Sequence, residues 1–180
     1  TERVQWHPHG VPTHLFDQAL DNPYAGLSGS HAVFPGVILF DTDFLTRASA
    51  LFPQLHFHII GPHERKENRP NVHYYGELPF QETLPYPAHA DLGLQCTLSK
   101  GGMGSNKAML YTHCRLPIVA SAGNETRDWP HIFLYQPGDD ESIATAIRSA
   151  LAFDRRRVPA EAVTSWDDVA AGLAGELWHG

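Results

Sequence analysis

The run SKGGMGSNKAMLYTHCRLPIVAS, residues 99–121, holds a loop, a helix and a strand in that order. Gly101, Gly102 and Gly104 make its opening a loop, because glycine reaches backbone conformations closed to other residues. Ser105 or Asn106 is placed to cap a helix that continues through Ala108, Met109, Leu110 and Tyr111. Leu116-Pro117-Ile118-Val119-Ala120 then reads as a buried strand. A glycine loop opening onto a helix leaves free N–H groups and a positive dipole end facing outward, which suits a phosphate. Lys107 falls in the first turn, within reach of the same anion.

Outward from that run, short apolar strands alternate with helices. Strands are expected at residues 1–6, at 31–40 with an interruption at Pro35-Gly36, and at 55–60, 71–75, 90–97, 116–121 and 132–135. In 55–60, His56 and His58 share one face. Helices are expected over 44–52, over 140–153 and over 165–177. In the second of these Ile143, Ala146, Ile147, Ala150 and Leu151 form one stripe. Arg155-Arg156-Arg157 would close it, as cations favour a helix C-terminus. Residues 13–20 read as one or two helical turns, and 78–89 as a short helix or a set of turns. This alternation implies a parallel sheet covered on both faces. The whole of residues 1–180 is therefore expected to form a single doubly wound, Rossmann-like α/β domain of five or six units.

Composition narrows the function. The 180 residues suit one domain, and 42% hydrophobic content supports a core. A formal net charge of −7 argues against a nucleic-acid partner. Cys96 and Cys114 are too few for a disulfide framework and lack CxxC spacing, which is compatible with a reducing compartment. No apolar run approaches the ~18 residues of a membrane span. The opening Thr-Glu-Arg-Val-Gln-Trp, with no initiator Met or leader, looks like a piece cut from something longer.

Several residues invite competing readings. Asp41-Thr42-Asp43 could hold a divalent ion, but a cap with an acidic first turn is preferred, since no third oxygen ligand is obvious nearby. The 12 histidines invite a zinc reading. His56 and His58 share a face and His7 and His9 are close, yet no three ligands have a fixed spacing. Residues 101–107 are not a Walker A loop, because no Gly-Lys-Ser/Thr is present. A plain strand-to-helix turn competes with phosphate binding there. Position at the carboxyl end of a parallel strand favours the phosphate. Glu77, after Tyr74-Tyr75-Gly76, would lie at the same edge and could accept from a ribose diol.

The blocks HGVPTHLF, ALFPQLHFHIIG, NVHYYGELP, HADLGL, SNKAMLY…LPIVAS and PGDDESIATAI, in that order, resemble the C-terminal, donor-binding half of GT-B glycosyltransferases. Within that class the chain is most similar to the xanthan-type exopolysaccharide glucuronosyltransferases, over about residues 6–152. The resemblance implies a nucleotide-sugar site. Lys107, Tyr111 and Pro117 meet a Lys-x-x-x-Tyr-x-x-x-x-x-Pro pattern, so Lys107 would contact the diphosphate of UDP and Tyr111 would belong to the same set. Ser105 and Asn106 would offer helix N-terminal groups. Glu77 would accept from the ribose, Leu78 would meet uracil through its backbone, and Ile38 would line the pocket. Thr97 stands near the nucleotide, where the family has a tyrosine. Leu110 replaces a Glu or Gln, and Arg115 a Gly.

The resemblance further implies inverting transfer without a metal or other cofactor. The sugar, glucuronic acid among the candidates, would pass to a lipid-linked saccharide in exopolysaccharide synthesis. The general base would be a carboxylate of an N-terminal acceptor domain, so no catalytic residue is assigned in this chain. The full-length enzyme would then be cytoplasmic and peripheral to the inner face of a bacterial membrane. Two other readings stay open: a flavodoxin-like nucleotide-binding module without transfer chemistry, and a sugar-nucleotide epimerase.

Overall fold

The computed structural model describes residues 9–36, 40–98, 106–123 and 129–178. Among the described residues there are six strands: β1 (Ser30–Pro35), β2 (Leu55–Ile60), β3 (Val72–Gly76), β4 (Leu92–Gln95), β5 (Ile118–Ser121) and β6 (Ile132–Tyr135). They form one sheet in the order β3-β2-β1-β4-β5-β6, with every neighbouring pair parallel. The chain winds outward from β1 to β3, crosses back to β4 on the other side of β1, and winds outward again. That reversal opens a crevice at the carboxyl ends of β1 and β4. The Rossmann-like expectation therefore holds. The strand expected at residues 1–6 lies outside the described residues.

Among the described residues six α-helices accompany the sheet: α1 (Thr42–Leu51), α2 (Phe80–Thr83), α3 (Pro85–His89), α4 (Asn106–His113), α5 (Asp140–Ala152) and α6 (Trp166–Trp178). On one face α1 and α5 bury Phe44, Leu45, Ala48, Ile143 and Ile147 against Phe34, Phe57, Leu94 and Val119. On the other, Tyr111 of α4 packs with Tyr24, Val33, Ala90, Leu116 and Ile118. Among the described residues no helix is long and apolar enough to cross a membrane.

Helix starts follow their capping residues. Asp41 accepts from the Phe44 N–H at 3.0 Å, and Asp139 from those of Glu141 and Ser142. Ser165 and Asp168 form a reciprocal capping box at the start of α6. The second oxygen of Asp41 accepts from the Tyr135 hydroxyl at 2.9 Å, so this buried cap also ties α1 to β6. One expectation fails at a helix end. Arg155–Arg157 do not close α5 but form a separate 3-10 turn. The Arg155 guanidinium instead donates to the carbonyls of Cys114 and Arg115, just past the end of α4, and to that of Ala90, the C-cap of α3, where orphan acceptors need a partner.

The histidines are not scattered. His31, His56, His58 and His73 lie side by side across β1, β2 and β3, because their alternation aims them at one face of three neighbouring strands. The link from β2 to β3 contains no helix, and rings cover that part of the sheet. His31 Nδ1 lies 3.0 Å from His58 Nε2, and His56 Nδ1 3.0 Å from His73 Nε2. His58 Nδ1 meets the Tyr75 hydroxyl at 2.8 Å, and Tyr24 stacks on His31 at 4.2 Å. His56 Nε2 faces the Ser28 carbonyl, so it carries the proton and its Nδ1 accepts from His73.

Burial, first among the causes, lowers the pKa of His31, His58 and His73 in this layer. Burial, then the neighbouring histidines, pushes His58 down to about 2. Burial alone pushes His131 down to about 4. Above about pH 6.5 both residues are neutral in folded and unfolded chains alike. Below it the unfolded chain takes up protons that the native state refuses, so stability falls as pH falls toward the native values. Each costs up to about 1.4 kcal/mol per pH unit once the pH is below 6.5, so the two together should weaken folding by about 4 kcal/mol between pH 7.5 and 5. Urea denaturation at pH 7.5 and pH 5.0 measures this, and equal midpoints would rule out a neutral buried layer.

Candidate functional site

A cleft of about 510 Å³ opens at the crevice between β1 and β4. Pro35 and Gly36, at the end of β1, form one wall. Asn106, Lys107 and Leu110, on the first turns of α4, form the next. Leu78, Phe80 and Thr83, after β3, close a third side. The fourth comes from Gly10, Val11 and Pro12 together with Trp166. Those two segments meet because Val11 exchanges backbone hydrogen bonds with Thr164 and Trp166. A Cβ on Gly10 would sit 2.6 Å from the Trp166 nitrogen, so only glycine permits that approach.

Lys107 is the cation among the described lining residues. It is half-buried. Its ammonium rests 3.8 Å above the centroid of the Phe34 ring, where a quadrupole attracts it. Desolvation there pushes the amine down to about 8, the nearby Cys96 opposing the shift. Gly36 makes the position possible, since a Cβ there would lie 2.8 Å from Lys107 Nζ. A cation in this state is ready for an anion. An arriving phosphate would restore the solvation that burial removed.

The other expected site residues divide. Asn106 opens α4 and is exposed on the cleft, and Leu78 lines it. Glu77 is exposed one residue before Leu78, at the rim beyond Gly76. Thr97 is half-buried past the end of β4. Its carbonyl accepts from Ser121 Oγ at 2.6 Å, and it bridges to Phe40. It is not among the residues lining the cleft. Ser105, Ile38 and the glycine loop at 101–104 lie outside the described residues.

Tyr111 is a correction. It is fully buried, and its hydroxyl lies 2.9 Å from the Val33 carbonyl and 3.2 Å from that of Leu94. Its ring lies on Gly93, where a Cβ would come within 2.4 Å. It faces the sheet because α4 must bury one side, and Lys107, one turn earlier, is left toward the cleft. Tyr111 holds the helix that presents Lys107 and does not line the cleft itself.

Arg115 shows what replaces the expected glycine. It adopts φ of 55°, the left-handed conformation that ends a helix. Leu116 N–H bonds the Tyr111 carbonyl, and Arg115 N–H that of Thr112, completing a Schellman motif. A side chain in this conformation costs about 1 kcal/mol. The Arg115 guanidinium offsets part of it by donating to the Val158 carbonyl at 3.1 Å.

Asp41 and Asp43 act as the cap and as a partner of Arg47. Among the described residues no group of three His, Cys, Asp or Glu is arranged to hold a metal.

Residues 34–152 match the family model described as Glycosyl transferases group 1. The chain is 34% identical over 168 residues to the UDP-glucuronate:glycolipid 2-beta-glucuronosyltransferase of Xanthomonas campestris pv. campestris, covering 89% of this chain. It spans 40% of the length of that relative. Among solved structures it resembles Anabaena HepE, determined in complex with UDP and glucose. The TM-score is 0.66 at 15% identity, over 95% of this chain and 55% of that one. The UDP-forming alpha,alpha-trehalose-phosphate synthase of Burkholderia xenovorans gives a TM-score of 0.60 at 14% identity, over 93% and 47% of the two chains. These distant likenesses concern the fold. Together with the family match they show that the chain belongs to the glycosyl transferases group 1 family, with the Rossmann-like architecture of one half of a GT-B glycosyltransferase.

Proposed function

We propose that the cleft between β1 and β4 binds the UDP moiety of a nucleotide-sugar donor, and that the chain is the donor half of a sugar-transferring enzyme. The observation that carries this reading is Lys107, held at the first turn of α4 with its ammonium on the crevice. Asn106 and the start of α4 add N–H groups to the same place. Leu78 and Glu77 lie across the cleft, where a uracil and a ribose diol would fall. The similarity to a UDP-glucuronate:glycolipid transferase favours UDP-glucuronate as donor and a lipid-linked saccharide as acceptor, in exopolysaccharide synthesis.

The same name describes a β product, and UDP-glucuronate carries its sugar in an α linkage, so the reading includes inversion. An acceptor hydroxyl oxygen would attack the anomeric carbon while the bond to the diphosphate breaks. The electron pair leaves on UDP, and the hydroxyl proton passes to a carboxylate base outside this chain. Lys107 and the helix N-terminus would meet the charge growing on the diphosphate, the task a divalent metal performs elsewhere. This chain alone should therefore bind donor without turning it over.

Three outcomes are expected. Lys107→Ala removes a charge-assisted contact worth roughly 1.5–3 kcal/mol, so UDP affinity measured by calorimetry should drop by about one to two decades. Unchanged affinity would remove the donor from this cleft. Chelation with EDTA should leave the affinity of the wild-type chain as it was, and a tenfold loss would restore a metal to the site.

The third outcome concerns protons. The free amine titrates near pH 8, and a bound diphosphate favours its charged form, raising that value. UDP affinity should be flat below pH 8 and fall above it by up to about tenfold per pH unit. Proton uptake near pH 8, read by calorimetry in buffers of different ionisation enthalpy, checks the sign. Proton release would contradict it.

A further inference from the structure

Three neighbouring strands, β1, β2 and β3, end at glycines, and one side chain turns back over them. Gly36, Gly61 and Gly76 follow or end β1, β2 and β3. Gly61 N–H bonds the Gly76 carbonyl at 2.7 Å, and Gly36 N–H bonds the Ile60 carbonyl at 2.9 Å. His63, two residues past Gly61, turns back over this row. Its Nε2 meets the Gly36 carbonyl, which only accepts, so Nε2 carries the proton. Its ring also stands 5.6 Å from the centroids of both Phe34 and Phe40.

Gly61 makes the meeting possible. Its φ is 131°, and a Cβ there would fall onto the Gly36 oxygen and 3.0 Å from His63 Nε2. Lys107 Nζ lies against the Cα of the same Gly36, 2.8 Å from where a Cβ would stand. Gly36 thus meets the imidazole at its carbonyl and the ammonium at its Cα. Phe34, the ring beneath that ammonium, is backed by the same imidazole.

We propose that His63 is a positioning residue for nucleotide-diphosphate binding: by fixing the Gly36 carbonyl and backing Phe34, it sets the wall on which Lys107 waits. His63 does not line the cleft and would not touch the ligand. It acts through Gly36 and Phe34. The proposal rests on the donor-site reading above and assigns that site a supporting residue on the loop after β2.

The test uses three variants of the chain. His63→Gln places an amide nitrogen close to the position of Nε2 and keeps the donor. His63→Phe keeps the ring and loses the donor. His63→Asn is the milder disruptor, with an amide too short to span to Gly36, and stands in if the Phe variant does not fold. UDP affinity should fall at least tenfold in His63→Phe and His63→Asn and stay within threefold of wild type in His63→Gln. A purely structural histidine would lower the melting temperature without that rescue pattern.

A second readout needs no ligand. Lysines carrying 13C-dimethyl labels report the titration of Lys107, assigned by its loss in Lys107→Arg. Its midpoint should rise toward that of an ordinary lysine in the Phe and Asn variants, and stay in place in the Gln variant. If wild-type chain fails to bind UDP while the midpoint moves as stated, the donor reading falls, the nucleotide-binding role of His63 falls with it, and what stands is that His63 sets the surroundings of Lys107. If all variants bind UDP as wild type does and the midpoint is fixed, or if Gln loses as much as Phe, the positioning role is overturned.

Discussion

The Tyr111 hydroxyl is the contact on which the site depends. It lies between the carbonyls of Val33 and Leu94, one on β1 and one on β4, at the two strands where the sheet reverses direction. A buried hydroxyl in that place needs acceptors, and the strands supply them only if α4 lies squarely over their junction. Gly93 leaves the room for the ring. The helix that carries Lys107 is thereby set against the crevice by a polar contact with direction as well as by apolar packing, which has little.

Much of this was legible in the sequence. The alternation of LHFHII, VHYYG and IVAS with amphipathic stretches specifies a parallel, doubly wound sheet, because strands buried on both faces must be apolar nearly throughout. The placement of Lys107 also followed from sequence, since a lysine in the first turn after a glycine loop has few places to go. The role of Tyr111 did not follow. Tyrosine four residues after a lysine lies on the same side of a helix within about 40°, and sequence spacing alone does not say which of the two faces the sheet.

The histidine layer was not legible for a related reason. β2 carries two histidines at alternate positions and β1 and β3 carry one each, but their meeting depends on register between three strands. Register is a tertiary property, set here by Ser30 lying opposite Leu55 and Phe57 opposite Val72. The role of His63 was hidden for the same reason. A histidine in a charged loop gives no local sign that a carbonyl 27 residues earlier will receive its proton. Arg115 was visible as a departure from the family's glycine, yet only the backbone shows that the left-handed turn persists without it.

The anchoring of α4 is unequal along its length. At its C-terminal end the Schellman bonds, the Arg155 guanidinium and the Tyr111 hydroxyl converge within residues 111–116. At the other end Asn106 stands exposed and Lys107 is held by a ring face, an attraction with a broad minimum. Among the described residues the anchors of the helix therefore gather at one end, and the other end lies about 12 Å away. A diphosphate bound as proposed would meet the helix at the end farthest from those anchors.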